Sequence, residues 1–422
     1  MTWWNQFPST LKGLTWIRLL ASMGAGGVIY MTPLIFHQVN LSATQIGSGL
    51  TAAALIGTLA RLVSGGLIDR GFNCSWPVRT TALLTILADL LLLKADTYGS
   101  YLTGQLLIGM ATGLYWPAIE LAVPLSCEHL SSSRGYALVR SADALGISLG
   151  ALAGTIAAWL GVIRWVYLFD GICMVVLLGL LARNPLPDEP NKQQNNNAQI
   201  NSNVGKGNAI NSESKSLDWL TPLLPLLLVS LVSTGMLALL QSALPLDLVR
   251  GGLQRPPLSE SWSGGLIAIE LGLLVLLQWP VGRWLADRSL QFGLGISLGS
   301  FSLGCLLLGC SALWPGGLIL IVAAQLPMAF ALAAFLPTAT EAVIEESPLE
   351  HRGLAMALFS QCFAISAIVA PLVAGQLLDR QGHGMLLWLL MSGLCLAMLP
   401  LLKAIKPRYR VDMSNKELQS QS

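Results

Sequence analysis

The stretch "SGGLIDRG", Ser64–Gly71, closes a long apolar run, and "VGRWLADR", Val281–Arg288, closes another about half a chain later. Each places a small residue, an apolar pair and then Asp-Arg where the apolar run ends. One such stretch is an ordinary turn at a bilayer surface. Two in register imply a doubled unit, and the rest of the chain agrees. "GQLLIGMATGLYWPA" (Gly104–Ala118) lies against "AQLPMAFALAAFLPT" (Ala324–Thr338), matching Gln105 to Gln325 and Pro117 to Pro337. "SRGYALVRSADALGIS" (Ser133–Ser148) lies against "HRGLAMALFSQCFAIS" (His351–Ser366), and "YMTPL" (Tyr30–Leu34) against "SALPL" (Ser242–Leu246).

The composition names the solvent. Of 422 residues, 54% are hydrophobic and 11% charged, with a mean hydropathy of +0.64. Soluble domains are about a quarter charged, so most of this apolar surface needs a bilayer. Runs long enough to span lie near Leu14–His37, Thr44–Ile68, Val78–Ala95, Gly99–Leu125, Tyr136–Leu160 and Trp165–Ala182. Six more lie near Leu220–Leu246, Trp262–Leu285, Leu290–Ala312, Gly316–Thr340, Leu354–Leu378 and Met385–Leu402. They are helices, because continuous apolar runs do not alternate as barrel strands do. The opening "MTWWNQFPSTLKGLTW" reads as the lead into an uncleaved first span rather than as a signal peptide.

The division that follows is residues 1–183 as one six-helix unit, 184–218 as a linker, 219–404 as the second unit and 405–422 as a tail. The linker is rich in Asn, Gln, Ser and Gly and has little to bury. Fifteen of the 24 Lys and Arg fall in connections on the side of the N-terminus, and five (Lys94, Arg164, Arg250, Arg255, Arg380) on the other. Arg18, Arg61, Arg140 and Arg283 lie in or at spans. By the positive-inside rule both termini and the linker are cytoplasmic, as in an inner or plasma membrane protein.

Several classes fall away. A net charge of +2 without a basic run among aromatics gives no nucleic-acid surface. Seven scattered cysteines without a CxxC or Cys/His cluster give neither a metal site nor a disulfide framework. No nucleotide-binding loop or catalytic triad is present, so no cofactor and no enzyme activity are expected.

Together these landmarks resemble the major facilitator superfamily over almost the whole chain. That family's loop motif runs roughly G-x-L-x-D-R/K-x-G-R/K-R/K. Gly65, Leu67, Asp69 and Arg70 match it, Gly71 lies one place before its second Gly, the closing basic pair is missing, and the second copy keeps Leu285, Asp287 and Arg288. The resemblance implies an all-α protein of twelve transmembrane helices in two pseudo-symmetric six-helix bundles. It also implies loops that latch the halves in one state, through Gly65, Asp69, Arg70, Asp287 and Arg288. Spans one, four, seven and ten would line a central cavity, which nominates Tyr30, Gln105, Tyr115, Trp116, Gln241, Gln325 and Phe335. Proton-coupled drug antiporters of the superfamily carry an Arg in span four, where Gln105 stands here. They also carry a G-x-x-x-G-P-x-x-G-G element in span five. Gly146, Gly150 and Gly154 keep that spacing, with Ala151 in place of Pro, while Pro371 and Gly375 in "APLVAG" hold a Pro version in span eleven. Small residues at this spacing also let membrane helices pack closely.

Ionisable residues inside spans are functional candidates by their cost. Arg140 and Asp143 share a helix face, and Glu120 lies at a similar distance from their common loop, so these form a candidate network. Glu270 lies in span eight without a basic neighbour, and such a carboxylate either carries its proton or awaits a cationic partner. Asp89 in span three is similarly alone. The expected function is secondary active transport of a small organic molecule by alternating access, as proton-coupled efflux through Glu270, Glu120, Arg140 and Asp143, by a monomer. The alternative is facilitative or proton-coupled uptake of a sugar or other metabolite. A second class is a non-transporting receptor or lipid-handling protein, against which the doubled loop motif counts.

Overall fold

A computed structural model of the chain describes residues 3–128, 130, 132–187, 217–286, 288–348 and 352–405. The linker from 188 to 216, Asp287 and the tail beyond 405 lie outside these residues. Among those described the protein is all helical, with thirteen α-helices. The first six are α1 (Ser9–Gln38), α2 (Ala43–Asp69), α3 (Ser75–Leu92), α4 (Tyr98–Ser126), α5 (Ser132–Trp159) and α6 (Trp165–Arg183). After the linker come α7 (Leu224–Ser242), the short α8 (Leu244–Arg250), α9 (Glu260–Ala286), α10 (Leu290–Ser311), α11 (Leu318–Glu346), α12 (Arg352–Gln381) and α13 (Met385–Met398). Twelve helical spans are long and apolar enough to cross a membrane.

One expected span is broken. Span seven divides at Ala243 into α7 and α8 because Pro245 has no N–H to give the Gln241 carbonyl one turn back. Its counterpart Pro33 stays inside an unbroken α1. Pro400 likewise turns the end of span twelve into a 3-10 helix, Leu399–Ala404.

Helices α1–α6 pack chiefly among themselves, and so do α7–α13. The closest packing inside the first half joins α1 to α5 through glycine. A Cβ at Gly146 would meet the Leu19 carbonyl and Ser22, and one at Gly150 would meet the Met23 carbonyl. The large apolar side chains left exposed, such as Leu62, Leu83, Leu90, Val175 and Leu276, cover the lipid-facing sides of spans.

The halves meet through α2 against α12 and α5 against α9, with α1 touching α7, α8 and α9. The hydrogen bonds between the halves lie toward the face opposite the N-terminus. There the Asp379 carboxylate at the end of α12 accepts the backbone N–H groups of Ala43 (3.0 Å) and Thr44 (2.7 Å), the first two residues of α2. Arg250 holds the same carboxylate at 2.7 Å. Deeper in, Thr51 donates to the Ile368 carbonyl at 2.7 Å, and Gly47 and Gly375 let the two backbones touch. The two halves are therefore fastened together at this face. A carboxylate on a helix N-terminus satisfies orphan N–H groups and opposes the positive end of the helix dipole.

This clasp gives a direct expectation. Asp379→Asn removes the charge from a contact that exists only while this face is closed. A shift of about 1–3 kcal/mol, or roughly 5–150-fold, toward opening of this face is expected. The labelling rate of a cysteine placed at Gln45 reads it, and a rate equal to that of the parent protein would refute the gating role.

Candidate functional site

The first site grows out of the glycine contact between α1 and α5. Asp143 lies one turn before Gly146, on the stripe that faces α1, so close backbone approach delivers its carboxylate to Arg18 and Ser22. The Arg18 guanidinium is at 2.9 Å from Asp143 Oδ2 and 3.9 Å from Glu120 Oε1 of α4. The Ser22 hydroxyl donates to the other oxygen of Asp143. The guanidinium lies over the Trp116 ring at 4.1 Å and beside the Tyr115 ring at 5.5 Å. The side chain of Arg18 is 3% exposed, whereas those of Asp143 and Glu120 are 22% and 38% exposed. A sealed base thus lies beneath two acids that solvent can reach. Arg18 Nε and Nη1 have no hydrogen-bond partner.

The sequence nominated Tyr115, Trp116, Glu120 and Asp143, and the structure brings all four together. The cation between them differs from the one expected. The ion pairs of Asp143 and Glu120 run to Arg18, while Arg140 is exposed. Sharing a helix face with Asp143 did not place Arg140 on the buried side.

A second site forms where the halves meet. The Tyr30 hydroxyl of α1 is hydrogen-bonded with the side chain of Gln241 at the end of α7, and the Glu270 carboxylate of α9 lies within electrostatic reach of the same ring. Tyr30 and Glu270 are each 5% exposed, and Gln241 is half-buried. Glu270 therefore lies near Tyr30 of the other half, a neighbour its own span did not reveal.

The remaining nominated residues stand apart. Gln325 is buried in α11 with its amide nitrogen on the Ile321 carbonyl and its oxygen unpartnered. Phe335 is packed in the main apolar core, and Gln105 is buried in α4. Of the loop residues, Gly65 has open space where a Cβ would be, and Arg70 is exposed at the C-cap of α2. Gly71 takes φ of 90° and turns the chain. Arg288 is exposed beside Trp284 and Phe292, at 5.9 and 5.8 Å from their ring centres. Asp287 and the side chain of Asp69 lie outside the described residues. No group of three or more His, Cys, Asp or Glu that could hold a metal ion occurs among the described residues.

Two buried acids were missed or undervalued. Asp170 in α6 lies beside Asp89 of α3, and Asp247 of α8 lies in a closed network with Arg255. The only sequence signal was an acid in the first turns of an otherwise apolar helix, a place where it reads as part of a surface flank.

A family model described as Major Facilitator Superfamily matches residues 14–292 and 226–421. No curated protein matches the chain in sequence. Among solved structures, the nucleoside transporter NupG is similar with a TM-score of 0.73 at 13% identity, over 95% of this chain and 100% of that one. A POT family transporter in complex with 5-aminolevulinic acid gives 0.76 at 12% identity, over 94% and 97%. The peptide transporter POT in complex with sulfate gives 0.72 at 14% identity, over 94% and 96%. At these identities the likeness is one of fold.

Proposed function

We propose, from the premise that the chain belongs to the Major Facilitator Superfamily, that it exports a small organic molecule by alternating access, driven by an inward proton flux. The chain is an integral membrane transporter of a small substrate and not an enzyme. Direction, coupling and orientation are the proposal. With the termini cytoplasmic, as the basic residues favour, the fastened face would be the outer one, as expected of an inward-facing state. The loops with Asp69–Arg70 and Asp287–Arg288 would then latch the cytoplasmic side in the opposite state. The linker would tether the halves on that same side.

The observation that carries proton coupling is Glu270 at the seam. A buried carboxylate near Tyr30 of the other half, whose hydroxyl is bonded with Gln241, changes surroundings whenever the halves rock. Desolvation disfavours the charged form of a carboxylate and opening to water restores it, so its proton would be taken and released with the cycle. The aromatic and amide groups around it suit an uncharged or amphipathic substrate. The similar structures named above are transporters of nucleosides and peptides, which are small organic molecules of mixed polarity.

Proteoliposomes with an imposed pH gradient test the reading. Wild-type flux should follow the gradient, and Glu270→Gln should abolish uphill flux while leaving downhill exchange. Flux indifferent to the gradient would remove proton coupling. Full uphill transport by Glu270→Gln would move the site to Glu120 and Asp143. Uptake is the second reading, favoured by Gln105 standing where the antiporters carry Arg. Accumulation rather than expulsion of substrate by intact cells would select it.

A further inference from the structure

Asp89 and Asp170 are each 3% exposed and lie near one another across the contact of α3 with α6. Both oxygens of Asp89 and Oδ1 of Asp170 have no hydrogen-bond partner. The backbone closes around them. A Cβ on Gly171 would lie 3.9 Å from Asp89 Oδ2, and one on Gly24 of α1 would collide with the Asp170 carboxyl. The groups facing the pair are known from each packed helix. From α6 come the Cys173 thiol and the Tyr167 hydroxyl, the latter paired with Thr32 of α1 at 3.1 Å. From α4, Tyr101 lies near Tyr167 and donates to the Ile46 carbonyl at 2.7 Å. Arg164 is occupied at the membrane face by the carbonyls of Leu93 and Ala95 and by Asp96. No salt bridge to either acid occurs among the described residues.

We infer that Asp89 and Asp170 form a proton-binding site, separate from Glu270, in which two carboxyl groups share one proton. Two bare carboxylates side by side in a bilayer interior have neither solvation nor a counter-charge. One proton makes one of them an O–H donor and leaves the other as its acceptor, which satisfies the orphan oxygens. On release the O–H bond breaks, the proton passes to water and both groups are carboxylates. That step needs water to enter where α1 closes on Asp170 at Gly24. The same closure leaves little room for the several oxygens a metal cation gathers. The proton thereby helps hold α1, which carries Arg18 and Tyr30, against α3 and α6.

The test is the unfolding of the purified full-length protein in detergent as a function of pH, in potassium buffer. The folded chain holds a proton that the unfolded chain gives up. Stability is thus present at low pH and falls as pH rises through the site's titration, with the unfolding equilibrium growing by up to about tenfold per pH unit. The comparison is made in a Glu270→Gln background, so that the seam carboxylate contributes nothing. Asp170→Asn in that background supplies an amide donor in place of the shared O–H and should remove the pH slope. A slope unchanged by Asp170→Asn overturns the site. If that variant does not fold, infrared difference spectra of Glu270→Gln decide. A protonated-carboxyl band that disappears at high pH is expected, and its absence overturns the site. Stabilisation by sodium replacing potassium at fixed pH, with no pH slope, makes it a metal-cation site and also overturns the proposal. Transport that ignores pH gradients would leave this site standing, because it rests on the pair's own geometry.

Discussion

Arg18→Gln is expected to cost about 3 kcal/mol of stability and to abolish transport. Breaking a buried ion pair by removing one partner costs roughly 3–5 kcal/mol, because the other charge stays behind uncompensated. Here two acids stay behind, Asp143 and Glu120, but each is partly open to water, which holds the figure to the lower end. The lost contact with the Trp116 face contributes as well, since a desolvated cation–π contact is worth about 2 kcal/mol. Arg18→Lys keeps the charge without the planar fork and should recover part of the loss. The double variant Arg18→Gln/Asp143→Asn should recover more, because it removes the stranded charge. Melting temperatures of the wild type, Arg18→Gln, Asp143→Asn and the double variant make the double-mutant cycle. A single-variant loss within roughly 0.5 kcal/mol, the range of neutral surface substitutions, would show that the cluster carries no stability.

The second large effect is expected at the other end of the molecule, from Asp247→Ala. Asp247 is 1% exposed and Arg255 2%, with 3.3 Å between their charged atoms. Asp247 also accepts the Gly384 backbone N–H at 2.7 Å and the Trp388 indole N–H at 2.9 Å. Arg255 donates to Ser311 at 2.6 Å and to the Asp247 carbonyl at 2.8 Å. The carboxylate therefore ties α8 to Arg255 in the loop before α9, to the turn between α12 and α13 and to Trp388 of α13, and Arg255 extends the tie to the end of α10. Its removal strands a buried guanidinium and two N–H donors, for a loss of about 3–5 kcal/mol. Asp247→Asn should lose less, and Asp247→Ala/Arg255→Met should regain part of the loss. Yield and thermal unfolding in detergent measure it. An Asp247→Ala protein that melts with wild type would refute this account of the network.

The spans were legible because a bilayer interior demands an unbroken apolar run, and such runs are read without knowing what they touch. The break in span seven was not, because Leu-Pro-Leu is as apolar as its flanks and hydropathy does not register a missing N–H. Asp143 and Glu120 stood out as charges in apolar surroundings. Their cation did not, because Arg18 lies near the start of the expected span Leu14–His37, far in sequence from both acids, and no spacing rule connects them. Asp143 points along the glycine stripe to α1, and that direction is a property of helix packing rather than of nearby sequence. Asp170 was hidden in the same way, since its partner Asp89 is on a helix three spans earlier and no spacing rule connects them.

The Asp379 clasp has a consequence for how this contact can be inherited. In the first half two of its partners are main-chain N–H groups, which every residue except proline supplies, and Thr44 adds its side chain. The two main-chain bonds therefore ask nothing of the side chains at positions 43 and 44, while position 379 cannot give up its carboxylate. Methods that infer contacts from paired substitutions see a contact only when both sides constrain each other's side chains. They would be blind to the two main-chain bonds, although these join the two halves of the molecule.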